Sequence, residues 1–289
     1  MIHNYKISWG NNVLELGHRV CIMGILNVTP DSFSDGGFFF DCNAAVAQGV
    51  KMVEDGADII DIGGESTRPF SSGISSEEEL KRVVPVIEKL APHIHVPISI
   101  DTTKANVAKA AMEAGASIIN DISALHHDRD MAKVAADYGA PVILMHMQGT
   151  PKTMQASPGY DNLFEDIRNF LEAAIDYAEK NGILRSRIII DPGIGFGKTV
   201  QHNLLIIKHL NEFKTFNVPV LAGLSRKSFI KHILKDQKAK DEKVGFSLIE
   251  VGTQAAVAMA VLSGADIVRV HNVADTVATL KIIEAVESA

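Results

Sequence analysis

Eight short apolar runs recur along this chain, at residues 21–28, 57–62, 96–100, 117–122, 141–147, 187–190, 218–224 and 265–270. They are rich in β-branched residues and lack strict apolar–polar alternation, so each is expected as a strand covered on both faces, as in a parallel sheet. Between them lie stretches with helical period, at 43–55, 76–90, 104–114, 128–138, 163–181, 200–210, 249–263 and 274–286. Four helix-to-strand joints carry the same pair: Gly56-Ala57, Gly115-Ala116, Gly139-Ala140 and Gly264-Ala265. A glycine there permits the left-handed turn that ends a helix. This repetition argues for stacked βα units and against two unlike domains. The expected fold is α/β: a (β/α)8 TIM barrel in one domain over residues 1–289. Residues 1–20 stand outside the pattern and are expected to form a short hairpin-like extension under the barrel.

The length of 289 residues, with 46% hydrophobic and 22% charged residues, allows a large core without staples. The net charge of −7 excludes a broad nucleic-acid surface, so any phosphate site must be a local cationic cluster. Cys21 and Cys42 form neither a redox pair nor a zinc spacing, and Cys21 is expected as a buried, inert thiol. The first residues lack the long apolar core of a secretory leader. No uninterrupted apolar stretch reaches the roughly 18 residues of a membrane span. A cytoplasmic protein is the expectation. The charge run within 231–243 reads as solvated surface.

In a parallel barrel the site lies at the C-terminal strand ends. The first run leads into Asn27 and a long loop through Phe39, and the second into Asp61, Glu65, Thr67 and Arg68. The third gives Asp101, the fourth Asn120 and Asp121, and the fifth His146, Met147 and Gln148. Asp191 follows the sixth, Ser225, Arg226 and Lys227 the seventh, and Arg269 and His271 the eighth. One such residue is weak support, because helix caps place Asp and Ser there routinely. Eight strand ends in register converge on one mouth.

Two characters emerge. Asp101, Asn120 and Asp191 are hydrogen-bonding groups among which a flat heterocycle with amino and ring N–H groups could lie. Arg68, Arg269 and His271 make a cationic rim suited to phosphate oxygens. Asn27 could hold a hard metal ion. Lys227, between the groups, could serve either. Asp61 is open between satisfying nearby backbone and a role in the site. Asp121 points to the opposite face from Asn120 and reads as structural. His146 reads as a satisfied strand histidine, His126 and His127 as exposed, and Met131 and 38–40 as packing. The stretch Gly193-Ile-Gly-Phe-Gly-Lys-Thr199 misses the Walker loop at Pro192 and the dinucleotide fingerprint at Lys198.

These motifs, taken in order, resemble those of the dihydropteroate synthase family. Met23-Gly-Ile-Leu-Asn-Val-Thr-Pro-Asp-Ser-Phe-Ser-Asp-Gly-Gly37 is similar to its first signature and Asp61-Ile-Gly-Gly-Glu-Ser-Thr-Arg-Pro69 to its second. Ser99-Ile-Asp-Thr102, Asn120-Asp-Ile-Ser-Ala124, His146-Met-Gln-Gly149, Asp191-Pro-Gly-Ile-Gly-Phe-Gly197, Ser225-Arg-Lys-Ser228 and Arg269-Val-His271 follow in series. The likeness runs from about residue 20 to the C-terminus.

The resemblance implies condensation of a dihydropterin carrying a CH2-diphosphate with 4-aminobenzoate, in folate biosynthesis. Dihydropteroate and diphosphate are the implied products. By similarity, Asp101, Asn120, Asp191 and Lys227 hold the pterin, and Asn27, Arg68, Arg269 and His271 hold the diphosphate with Mg2+, Asn27 as metal ligand. Thr67 lies near the substrate, while Phe33, Asp35, Pro69, Phe196 and Ser228 close over 4-aminobenzoate. A homodimer is implied, with neither nucleic-acid nor membrane partners. The implied catalytic set is Asp35, Asp101, Lys227, Arg269 and His271. Phe70 and Asn272 depart from the family pattern, which expects a small residue and an Asp. A pterin-binding methyltransferase-type barrel is the alternative. A Schiff-base aldolase using Lys227, its pKa lowered by Arg226, is a third reading.

Overall fold

The computed structural model describes residues 4–29, 41–66, 71, 73–235 and 245–289. Its first elements are β1 (Tyr5–Trp9) and β2 (Asn12–Leu16), an antiparallel hairpin outside the main sheet. The main sheet has eight strands: β3 (Cys21–Asn27), β4 (Ile59–Gly63), β5 (Ile98–Asp101), β6 (Ile118–Asp121), β7 (Val142–Met145), β8 (Ile188–Asp191), β9 (Leu221–Gly223) and β10 (Ile267–Val270). Every paired neighbour is parallel, in the order β8-β7-β6-β5-β4-β3-β10-β9. A bridge between Ile190 and Val220, and the bond from Ile190 N to Pro219 O at 3.0 Å, join β8 to the entry of β9. The expected TIM barrel is the observed fold.

The helices are α1 (Cys42–Glu54), α2 (Ser76–Leu90), α3 (Ala105–Ala114), α4 (Met131–Tyr138), α5 (Leu163–Lys180), α6 (Val200–Lys208), α7 (Ser228–Leu234), α8 (Phe246–Leu262) and α9 (Val273–Glu287). Gly56, Gly115, Gly139 and Gly264 have φ of +106°, +120°, +58° and +104°. The alanine after each is buried, and its N–H closes a six-to-one turn: Ala57 to Met52 O, Ala116 to Ala111 O, Ala140 to Ala135 O and Ala265 to Ala260 O. The repeated dipeptide is therefore one helix-stop device used four times.

Strand parity positions the site. Ile60, Ile62, Ile119, Val142, Leu144, Ile188, Ile190, Ala222 and Val268 pack outward in the cluster shared with the helices. Residues of opposite parity fill the barrel interior: Cys21, Met23, Ile59, Ile118, Ile143, Ile189, Leu221 and Ile267. Ile7, Trp9, Leu14 and Leu16 join them from the hairpin, so the extension plugs the N-terminal end of the barrel. Burying each such side chain contributes about 1.5–3 kcal/mol. Two residues further along, the same inward column reaches Asp61 from Ile59, Asn120 from Ile118, Asp191 from Ile189 and Arg269 from Ile267. A greasy plug thus changes to a polar layer within one step of the pleat.

Some boundaries differ from expectation. The helix expected from 128 begins at Met131, because the Asp128 side chain accepts from Ala105 N at 2.8 Å and serves the start of α3. Lys104, the residue before α3, supplies no side-chain cap of its own. Helix α7 occupies the start of the expected charge run, and residues 236–244 of that run lie outside the described residues.

Candidate active site

Arg269 organises the polar layer. Its Nε donates to Asp61 Oδ2 at 2.6 Å, and its Nη2 lies 2.5 Å from that oxygen and 2.7 Å from Asp101 Oδ2. Asn120 Nδ2 donates to the same Asp61 oxygen at 3.1 Å. Asp61 is fully buried, and the partners of its Oδ2 are the Asn120 and Arg269 side chains and not nearby backbone. Burial works against the Arg269 charge, but Asp61 and Asp101 outweigh it and raise the pKa, so the guanidinium stays charged. Burial pushes the Asp101 carboxyl up, Arg269 opposes this, and the Asp61 charge adds to it. Arg269 therefore spans the two groups that the sequence reading kept apart.

Asp191, at the end of β8, accepts from Gly193 N at 2.7 Å through Oδ1. Burial raises its pKa, while the Gly193 N–H and the Lys227 charge lower it. Lys227 precedes α7 and holds its ammonium 3.9 Å from the centre of the Phe196 ring. Burial and then Arg269 push Lys227 down to about 8, with Asp191 and Asp101 opposing. Arg226 has no part in this: its guanidinium turns to Glu250 and lies 4.6 Å from the Phe246 ring centre. Gly195 (φ +84°) leaves room for the Lys227 stem, since a Cβ there would lie 2.8 Å from Lys227 Cδ. Gly193 (φ +72°) admits no other residue, because a Cβ would fall 1.8 Å from His146 O.

At the rim, Asn27 ends β3 half-buried, and its side-chain amide has no hydrogen-bond partner among the described residues. His271 follows β10, and its Nδ1 lies 2.9 Å from Ser225 Oγ. Ser228 opens α7 exposed. Phe33, Asp35, Thr67, Arg68, Pro69 and Phe70, and 38–40, lie outside the described residues. Asn272 caps α9 by accepting from Asp275 N at 3.2 Å, so the departure from Asp keeps a capping oxygen. A cavity of about 470 Å³ opens beside Asp101, lined also by Thr102, Lys104, Ile122, Met147 and Phe170. Of the polar layer it is lined by Asp101 alone.

The plainer readings of several residues hold. Asp121 is fully buried and accepts from Ser123 N at 2.8 Å and Leu125 N at 2.9 Å. His126 and His127 are exposed, while Met131 and Cys21 are buried. His146 is buried and satisfied, but its partner went unforeseen: Lys198 Nζ lies 2.9 Å from its Nδ1. Burial, then the Lys198 charge, pushes His146 down to about 3, so its ring is neutral. The sequence used Lys198 only to reject a nucleotide motif. Its one available signal was a lysine closing a glycine-rich loop.

Among the described residues no three His, Cys, Asp or Glu side chains cluster to hold a metal. The oxygen of Asn27 is compatible with Mg2+, which is commonly held by one or two protein oxygens together with waters and substrate phosphates.

Residues 23–271 match the family described as pterin binding enzyme. The chain is 46% identical over 276 residues to the dihydropteroate synthase of Synechocystis sp., covering 96% of this chain and 93% of that one. A crystal structure of Yersinia pestis dihydropteroate synthase with a sulfonamide drug complex is similar at a TM-score of 0.89 and 43% identity, covering 98% and 99% of the two chains. Xanthomonas albilineans dihydropteroate synthase with 4-aminobenzoic acid is similar at a TM-score of 0.89 and 42% identity, covering 99% of each. With the barrel, the polar layer and the match over nearly its whole length, this chain belongs to the pterin-binding enzymes and, among them, to the dihydropteroate synthases.

Proposed function

We propose that the polar layer binds (7,8-dihydropterin-6-yl)methyl diphosphate and that the enzyme transfers its pterin-methyl group to 4-aminobenzoate, releasing 7,8-dihydropteroate and diphosphate. The observation that carries the reading is the convergence of Asp101, Asn120, Asp191 and Lys227 on one mouth, with Arg269 joined to Asp101. An aminopyrimidinone edge presents adjacent N–H groups, which a carboxylate such as Asp191 accepts as a pair. The Asp61 carboxylate can only accept, so Asn120 turns its NH2 toward it and leaves its own oxygen as an acceptor. The Lys227 ammonium donates to the ring's acceptors.

The reaction breaks the bond between the methylene carbon and the diphosphate oxygen. As positive charge spreads into the pterin, Asp101 and Asp191 stabilise it, a task that the family resemblance assigns to Asp35 as well. Negative charge builds on the leaving group, which Arg269, His271 and Arg68 receive. Asn27 would hold Mg2+, which when bound supplies further positive charge to those oxygens. The arylamine nitrogen attacks as a neutral group, forming the C–N bond as the C–O bond is lost. The weakly basic nitrogen then sheds its proton to the departing diphosphate or to water, so no strong general base is required. Phe196 and Ser228, with Phe33, Asp35 and Pro69 assigned to the same task by family resemblance, would close over the arylamine and limit water, and Thr67 is assigned to the substrate on the same ground.

We also place the enzyme in the cytoplasm as a homodimer. The unpaired thiols Cys21 and Cys42 suit a reducing compartment. Exposed Leu248, Val251, Met259 and Leu262 share one face of α8, and with exposed Ile282 and Val286 on α9 they offer apolar surface that a second copy would cover. Incubating the enzyme with both substrates and Mg2+, with diphosphate release and product mass as readouts, tests the activity. Stoichiometric dihydropteroate and diphosphate are expected. Pterin binding without diphosphate release would instead indicate the methyltransferase-type barrel.

A further inference from the structure

Lys198 is almost wholly buried, and burial pushes its pKa down to about 7, with the Asp191 charge opposing but no ion pair formed among the described residues. Its Nζ faces three acceptors instead: His146 Nδ1 at 2.9 Å, Phe196 O at 3.0 Å and His146 O at 3.5 Å. Three acceptors match the three N–H bonds of an ammonium. A buried lysine is tolerated only where its N–H bonds are paired, and here the pairing ties the strand end at His146 to the glycine loop at Phe196.

The loop wrapped around it turns sharply. Gly193, Gly195 and Gly197 have φ of +72°, +84° and +60°, so the backbone reverses at every second residue between 193 and 197. Side chains from several elements fix each turn. Asn203 accepts from Gly195 N at 2.7 Å, Gln155 donates to Gly195 O at 3.0 Å, and Tyr160 donates to Gly197 O at 2.8 Å. The carbonyl between the last two glycines is that of Phe196, and Lys198 holds it. The ring of that residue is the one the Lys227 ammonium overlies. His146, on the neighbouring strand end, holds the other side of the Lys198 ammonium, with Phe170 edge-on to its ring at 4.9 Å.

We propose that Lys198 is a positioning residue, whose ammonium, seated on His146 and on the Phe196 carbonyl, sets the glycine loop so that Phe196 presents its ring to Lys227 and the substrates. Lys198 touches no substrate; it acts through Phe196. This rests on the assignment of Phe196 and Lys227 to the substrate site, which turnover by the unaltered enzyme tests separately.

The experiment compares steady-state kinetics of the full chain with those of Lys198→Met, His146→Leu and His146→Gln, with thermal unfolding followed in parallel. Lys198→Met removes the donor and His146→Leu removes its ring acceptor. Each should raise KM for the pterin diphosphate or for 4-aminobenzoate by about tenfold, with kcat within about threefold of the unaltered enzyme. His146→Gln restores an acceptor and should stay within about threefold in KM. Unchanged KM in Lys198→Met, or equal behaviour of His146→Leu and His146→Gln, overturns the proposal. If Lys198→Met does not fold, the two His146 variants decide by the same criterion. Absence of turnover in the unaltered enzyme would count against the proposed function and not against the placement of Lys198.

Discussion

Arg269 Nε donates to Asp61 Oδ2 at 2.6 Å, on a carboxylate with no exposure to solvent. The two residues are 208 positions apart in the chain, and β3, the strand that pairs with both β10 and β4, brings them together. The pair gives the mouth a fixed cation whose direction is set from below, with Asp101 held on its other side. The second Asp61 oxygen has no partner among the described residues, so the carboxylate is committed to Arg269 and Asn120 on one oxygen.

Asp61→Ala should therefore damage both stability and activity. Breaking a buried ion pair from one side costs about 3–5 kcal/mol. The Arg269 side chain keeps 18% exposure, which puts the expected loss near the lower end. Urea unfolding should show it as a lowered midpoint at unchanged slope. Pterin affinity should fall as well, because Arg269 loses its orientation.

Replacing Lys227 by Ala should weaken pterin binding by about 2 kcal/mol, the scale of a charge-assisted hydrogen bond. Calorimetric titration with the pterin diphosphate measures this. Near-unchanged affinity and turnover would remove Lys227 from the site.

The Lys227 pKa of about 8 gives a pH dependence with a definite sign. Below it the side chain is an ammonium and can donate to the pterin with charge. Above it the charge is lost, so affinity should fall by about tenfold between pH 7 and pH 9. Lys227→Met should flatten that part of the profile.

Asp35→Ala addresses charge stabilisation from the first loop. Turnover should drop by more than about tenfold while the affinity for pterin diphosphate changes little. Equal loss of both would make Asp35 a binding residue only.

Much of this was legible in the sequence, for identifiable physical reasons. Doubly buried strands lack polar alternation, so the barrel could be read from its eight runs. Parity then separated Asn120 from Asp121 correctly. What parity cannot give is the direction of a long side chain. Its place at the end of the eighth strand marks Arg269 as a rim cation, but only the fold shows it anchored to Asp61 and Asp101. Nor does sequence spacing show contacts made across the barrel. Helical period begins at Asp128, yet its side chain serves the N-terminus of α3. Lys198 and His146, 52 positions apart, meet only because the ends of β7 and β8 are adjacent.

A crystal structure of the enzyme with the dihydropterin diphosphate and Mg2+ bound would examine the central claim most directly. The ring should lie within hydrogen-bonding distance of Asp101, Asn120, Asp191 and Lys227, with the diphosphate toward Arg269, His271 and Asn27. A pterin seated elsewhere, or a diphosphate pointing away from those three residues, would contradict the account.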